Sequence, residues 1–224
     1  MKAFHFLRDN RTAGYGTEPA WSVGEERKIK GDTIKLCERG YHSSRTPFDA
    51  FAYASGPMLC LVEVPKSGTI RVGDKQVSNR RKLLAAVNIE KELRLFTVAC
   101  AERLLPRLER AFPDTDKFRK VVQGAEDYIN DRITNQELQR LRDGAALTSE
   151  EVEIMARDRH RIAMRAAINC TLYPSTVHVA QATGFFAVSN ARWSMSLFRS
   201  LPKKERDWQR RKFNELCVKR LVGK

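Results

Sequence analysis

LCERGYHSSRTPFDAFAYASGPMLCLVEV, residues 36–64, reads as strand, glycine turn, polar pocket, short helix and strand. The helix has a start signal. Thr46 can cap it, Pro47 takes the first helical position with its φ already set, and Asp49 stands three residues after the cap. MLCLVEV, after it, has the apolar density of a buried strand. At the glycine turn, Tyr41, His42, Ser43 and Ser44 place an aromatic ring, an imidazole and two hydroxyls together.

Upstream, AFHFL is an expected opening strand. GTEPAWSVGEERKIKGDTIKLC, residues 16–37, reads as a hairpin-bearing region punctuated by Gly and Pro. Residues 1–82 are therefore expected to form a small, strand-rich α+β domain. After Arg81 the apolar period changes to that of helices. Ile89, Leu93, Phe96, Cys100 and Leu104 recur at spacings of three and four, which gives one apolar face. Pro106 should kink or end that helix. Further helices are expected over 116–131, 135–142, 149–171 and 176–198, with a last one from Ser200-Leu201-Pro202 through Leu221. Thr134 with Glu137 and Thr148 with Glu151 form capping boxes. Residues 83–224 are thus expected to be a basic-ended helical domain packed on the strand domain.

The chain has 224 residues, 42% hydrophobic and 30% charged, a globular composition. No apolar run approaches the roughly 20 residues that cross a bilayer, so no membrane association is expected, and MKAFHFLRDN does not read as a signal peptide. Five cysteines scattered singly, without CxxC, predict reduced thiols and a cytoplasmic address. Cys37, His42, His5 and Cys60 lack the paired short spacing of structural zinc, so no metal is expected.

The net charge is +14, unevenly spread. Residues 156–224 hold 15 Lys and Arg against 4 Asp and Glu, whereas residues 83–155 hold 11 against 14. A basic end of this kind predicts a polyanionic partner. Lys203, Lys204, Arg206, Arg210, Arg211 and Lys212 surround Trp208 and Phe213, and cations with interleaved aromatics suit phosphates and bases. Arg159 and Arg161, and Arg80 and Arg81, extend the candidate surface. Sequence-specific modules such as helix-turn-helix or zinc finger are not recognisable.

Lys2-Ala3-Phe4-His5-Phe6-Leu7, Lys35-Leu36-Cys37, Gly40-Tyr41-His42-Ser43 and Pro47-x-Asp49-Ala50-x-x-Tyr53-Ala54 resemble an uncharacterised bacterial and phage domain family. That likeness implies a phage or prophage origin. A second resemblance, to ADP-ribosyltransferases of the His-Tyr-Glu type, implies a mechanism. Those enzymes hold the nicotinamide ribose with a His on an early strand and stack nicotinamide on a Tyr at the end of a helix. By that likeness His5, Tyr41 and His42 are the catalytic candidates, and Ser43 and Tyr53 would bind NAD. With the glycines aligned, His42 takes the position of the family's tyrosine, and no downstream Glu stands out as the catalytic acid.

Three functions remain open on this footing. One is an accessory protein engaging nucleic acid or a host nucleoprotein through the basic helical surface, with no cofactor. Another is an NAD-dependent ADP-ribosyltransferase. The third is a protein inhibitor of a host defence system.

Overall fold

The computed structural model describes residues 1–30, 33–112, 116–153, 164–168, 170–171, 177–181 and 201–222. The protein is α+β, with an antiparallel seven-stranded sheet in its N-terminal part and helices after it. Two compact units are formed. One comprises Met1–Glu90 together with Asn214–Lys224, and the other Lys91–Phe213.

The strands of the first unit are β1 (Lys2–Leu7), β2 (Glu26–Lys28), β3 (Tyr41–Ser44), β4 (Met58–Glu63), β5 (Thr69–Val72), β6 (Lys75–Ser78) and β7 (Arg80–Asn88). Their spatial order is β2-β7-β4-β1-β3-β6-β5. β6 and β7 are thus four strand spacings apart in the sheet, about 19 Å if it were flat. Yet only Asn79 separates them in the chain, a gap that two peptide units span in about 7 Å. The sheet must therefore curl until its β6 and β7 regions approach. A hydrogen bond across the curl records this: Arg81 Nη1 on β7 donates to the carbonyl of His42 on β3 at 3.0 Å.

Alternation then sorts the side chains. β1 pairs with β4 along its whole length, with His5 opposite Cys60 and Ala3 opposite Val62. Ala3, Leu7, Trp21, Tyr41, Cys60, Val62 and Leu83 form one buried apolar cluster. On the other face, α1 (Pro47–Phe51) lays Phe51 against Phe6, ring centroids 6.2 Å apart. Thr46 caps α1 as expected, its Oγ1 accepting from the Asp49 N–H at 3.1 Å, with Pro47 in the first turn. The returning segment forms a π-helical turn, Asn214–Val218, and a last helical turn, Lys219–Val222, that runs against β4 and β7.

Three local expectations are corrected here. Residues 36–38 form a turn rather than a strand, and the strand follows the glycine, as β3. The region 16–37 contributes a single short strand, β2, which pairs with β7 instead of forming a hairpin of its own. KLLAAVN, read as the start of a helix, belongs to β7, which continues to Asn88. Its run of Leu, Ala and Val satisfies either period, and pairing with β4 decides for the strand.

The second unit contains α2 (Glu90–Glu102) from Lys91 onward, α3 (Leu105–Ala111), α4 (Lys117–Ile129) and α5 (Asn135–Glu153), with helical residues at 164–168 and 177–181 and the helix Leu201–Phe213. Pro106 does separate α2 from α3, lying in the first turn of the latter. The expected apolar face is buried at Ile89, Leu93, Phe96, Cys100 and Leu104. The Thr134–Glu137 capping box forms reciprocally: Thr134 N–H donates to Glu137 Oε2 at 2.7 Å, and Glu137 N–H to Thr134 Oγ1 at 3.2 Å. The break expected before Thr148 is absent, because α5 runs unbroken from Asn135 to Glu153. Val98, Leu105, Leu108, Phe118, Val121, Ala125 and Leu138 are among the core side chains of this unit. Among the described residues, no helix is long and apolar enough to cross a membrane.

Gly40 enters β3 with φ of 139°, and a Cβ there would collide with the side chain of Val77 and meet the Ser78 carbonyl on β6. Only glycine tolerates both the backbone and the approach. Gly40→Ala is expected to cost about 1–3 kcal/mol of unfolding free energy, read as a lower urea midpoint for the full chain. An unchanged midpoint would contradict this packing.

Candidate functional site

The curl of the sheet encloses a cavity of about 570 Å³ in the first unit. All five residues proposed for NAD chemistry line it: His5 from β1, Tyr41, His42 and Ser43 from β3, and Tyr53 just after α1. The register explains the gathering. Tyr41, His42, Ser43 and Ser44 pair with Ser78, Val77, Gln76 and Lys75 of β6, while β1 runs along the other edge of β3 with Phe4 opposite Ser44.

Each of these groups has a defined environment. His42 Nε2 accepts from the Cys37 N–H at 2.8 Å, so the neutral ring carries its proton on Nδ1. Burial first, then the Arg81 and Lys75 charges, lower its pKa, against a backbone hydrogen bond with Gly40 that raises it. His5 Nε2 is shielded from water and has no hydrogen-bond partner among the described residues. Burial, followed by the charges of Arg81 and His42, holds its pKa well below the usual histidine value. Ser43 is buried, and its Oγ accepts from Gln76 Nε2 at 2.9 Å. Tyr41 is buried edge-on to Trp21, and its pKa is raised chiefly by that burial. Tyr53 is 47% exposed. Its hydroxyl donates to the Asp74 carboxylate at 2.9 Å, and Lys75 Nζ stands 4.3 Å from its ring centroid. Desolvation, then the Asp74 hydrogen bond, push its pKa up to about 12, so the ring is a neutral phenol with one face already occupied.

Other polar residues of the cavity were not among the NAD candidates: Glu18, Cys37, Glu38, Ser44, Lys75 and Arg81. Glu18 lies 3.7 Å from Arg27, and Glu38 lies 2.7 Å from Lys35. The thiol of Cys37 is exposed, and Cys60, Cys100, Cys170 and Cys217 are buried free cysteines. Among the described residues, no three His, Cys, Asp or Glu side chains gather as a metal would require.

The basic candidates divide. Arg81, expected on an outer surface, is 3% exposed and faces the cavity. Strand alternation turns it inward with Leu83, a signal that a helical reading of β7 hides. Arg80 is on the outside and lies 3.7 Å from Glu26. In the second unit, Lys203, Lys204, Arg206, Arg210 and Arg211 are exposed, whereas Lys212 is only half-exposed. Glu205, Gln209 and Phe213 recur every four residues on the buried side of the same helix. The exposed cations consequently fall on one broad outer arc rather than all round it. The aromatics play a different part from base stacking. Phe213 is buried edge-on to Phe96 at 5.6 Å, and the Trp208 ring holds Arg103, itself 2.9 Å from Glu205. Arg159 and Arg161 lie outside the described residues.

A family model described as a domain of unknown function, DUF7666, matches residues 1–95. That span takes in all seven strands and the lining of the cavity. No curated protein and no solved structure matches the chain.

The histidines set a pH dependence. A histidine pKa lowered by folding means that the unfolded chain takes up a proton, below about pH 6.5, that the folded state resists. Stability is then greatest above that pH and declines as pH falls through it, by at most about 1.4 kcal/mol per pH unit for each such histidine. His5→Leu is expected to flatten this decline between pH 7 and pH 5 in chemical denaturation. An equally steep slope in the variant would show that His5 protonates freely in the fold.

Proposed function

We propose that the chain is a phage- or prophage-type accessory protein of the bacterial cytoplasm. It engages nucleic acid or a host nucleoprotein complex through the outer face of the helix Leu201–Phe213. The supporting observation is the sorting of that helix: Glu205, Gln209 and Phe213 are buried, Lys203, Lys204, Arg210 and Arg211 stand on the outer side, and Arg206 is exposed at its edge, 3.4 Å from Gln209. Asp207, 3.5 Å from Arg210, is the acidic residue within the arc. Exposed cations spread along one helix face suit an extended polyanion better than a point ligand, and contacts of this kind carry affinity without reading bases. Binding of duplex DNA or structured RNA is expected to weaken with salt, with a log–log slope of about −0.9 per phosphate neutralised on duplex DNA. Replacing Lys203, Lys204, Arg210 and Arg211 by Gln should make that slope shallower by about 1 for each contact removed. Affinity indifferent to salt, or unmoved by the four changes, would refute the proposal. Capture of a host protein that persists after nuclease treatment would instead favour the inhibitor of a defence system.

A second function is favoured by one specific observation, the convergence of His5, Tyr41, His42, Ser43 and Tyr53 on one cavity. In an ADP-ribosyltransferase using NAD, the buried neutral His5 would hold the nicotinamide ribose, and Tyr53 would offer its open face to the departing ring. Glu18 and Glu38 are the carboxylates on the cavity wall, and one of them would have to supply the catalytic acid. Release of nicotinamide from labelled NAD is expected to fall at least tenfold in His5→Ala and in the variant lacking the responsible glutamate. Absence of release from the parent protein, with lysate present as acceptor, would exclude the transferase.

A further inference from the structure

We propose that the cavity of the first unit binds a small organic phosphate, with Arg81 as its buried anchor and Lys75 as a second cation. A bound phosphate requires no bond to break, so this holds whether or not the protein transfers ADP-ribose.

Arg81 presents the central difficulty that a ligand would resolve. Its guanidinium lies 4.5 Å from the Trp21 ring centroid and 5.1 Å from that of Tyr41. It has five N–H donors, yet its one hydrogen bond within the described protein is Nη1 to His42 O. Arg81 has no carboxylate within ion-pair distance among the described residues. Burial draws its pKa down to about 10, a sign of how poorly the fold itself compensates the charge. A buried cation without a counter-ion carries a desolvation cost of several kcal/mol. Two aromatic faces offset part of that cost and leave the remaining donors beside the cavity.

The surrounding charges do not complete the pairing. Glu18 and Glu38, on the cavity wall, have their own partners in Arg27 and Lys35. Asp74 accepts the Tyr53 hydroxyl. Lys75 Nζ, which also lines the cavity, contacts the Tyr53 ring and lies 3.9 Å from Cys37 Sγ, with no carboxylate in reach among the described residues. Two uncompensated cations on separate strands thus face one space. A dianion answers both, whereas a single carboxylate would answer only one. His5 lines the same wall, its Nε2 buried and without a hydrogen-bond partner among the described residues.

Size and rim define the rest of the ligand. About 570 Å³ falls within the range of small-molecule sites, and inorganic phosphate alone would leave most of it empty. Tyr15, 93% exposed, and Tyr53 stand on the cavity wall and offer flat surface to a sugar or base. The chemistry is that of a sugar phosphate or a nucleotide.

Isothermal titration of the full chain with ribose 5-phosphate, AMP and NAD, each beside ribose, adenosine and succinate, tests the assignment. At least one phosphate probe should bind with sub-millimolar affinity while ribose, adenosine and succinate do not. Arg81→Met should weaken that binding by about 30-fold or more, and Lys75→Met by about tenfold. Undiminished binding in a folded Arg81→Met protein, or no binding of any phosphate probe, overturns the proposal. Binding of succinate as tight as that of the phosphates overturns the phosphate assignment in favour of a carboxylate. Should Arg81→Met fail to fold, Lys75→Met decides, undiminished affinity there refuting the two-cation site. Binding of AMP without nicotinamide release from NAD would uphold this site while excluding the transferase.

Discussion

The single residue between β6 and β7 governs the first unit. Ser78 and Arg80 belong to strands four places apart in the sheet, and the chain allows them only a few ångströms. Every other feature of this unit accommodates that constraint. The sheet curls, β3 and β7 come within reach of one side chain, and the concave space between them cannot be filled by backbone. Gly40 belongs to the same accommodation, since the approach of β6 leaves no room for a Cβ at the entry to β3.

The protein carries two kinds of positive charge, whose physics differ. On the helix Leu201–Phe213 the cations are in water, screened by salt, and individually worth little. Their effect is collective and suits a long, uniformly charged partner. Arg81 is the opposite case: one charge in a poorly polarisable environment, where each missing hydrogen bond is costly and each one gained is strong.

Local chemistry was the legible part of the sequence. Thr46 and Pro47 start a helix, Thr134 and Glu137 close a capping box, and Pro106 interrupts the helices, all as elementary propensities require. His5, Tyr41, His42, Ser43 and Tyr53, named from the likeness to ADP-ribosyltransferases, share one cavity wall because β1 and β3 are neighbours in the sheet and α1 follows β3. What escaped depends on pairing partners distant in sequence. KLLAAVN could be helix or strand until β4 lay beside it, and Arg81, counted on the surface as part of a basic run with Arg80, is turned inward by strand alternation. Phe213 resembled a nucleic-acid contact among its basic neighbours, yet it is buried against Phe96, and composition does not record which side of a helix faces inward. At Thr148 a good capping signal was overridden by the continuation of α5.

Asn214–Lys224 belongs to the same compact unit as Met1–Glu90, with Lys91–Phe213 intervening. During translation the ribosome therefore delivers all seven strands before the helical unit, and the segment Asn214–Lys224 that packs with them after it. The helical unit emerges in between and is free to fold while its host still awaits completion. Until then the sheet lacks the segment that carries the buried Cys217 and Leu221 and whose last helical turn runs against β4 and β7, so the apolar surface it covers stays open while the helical unit is made.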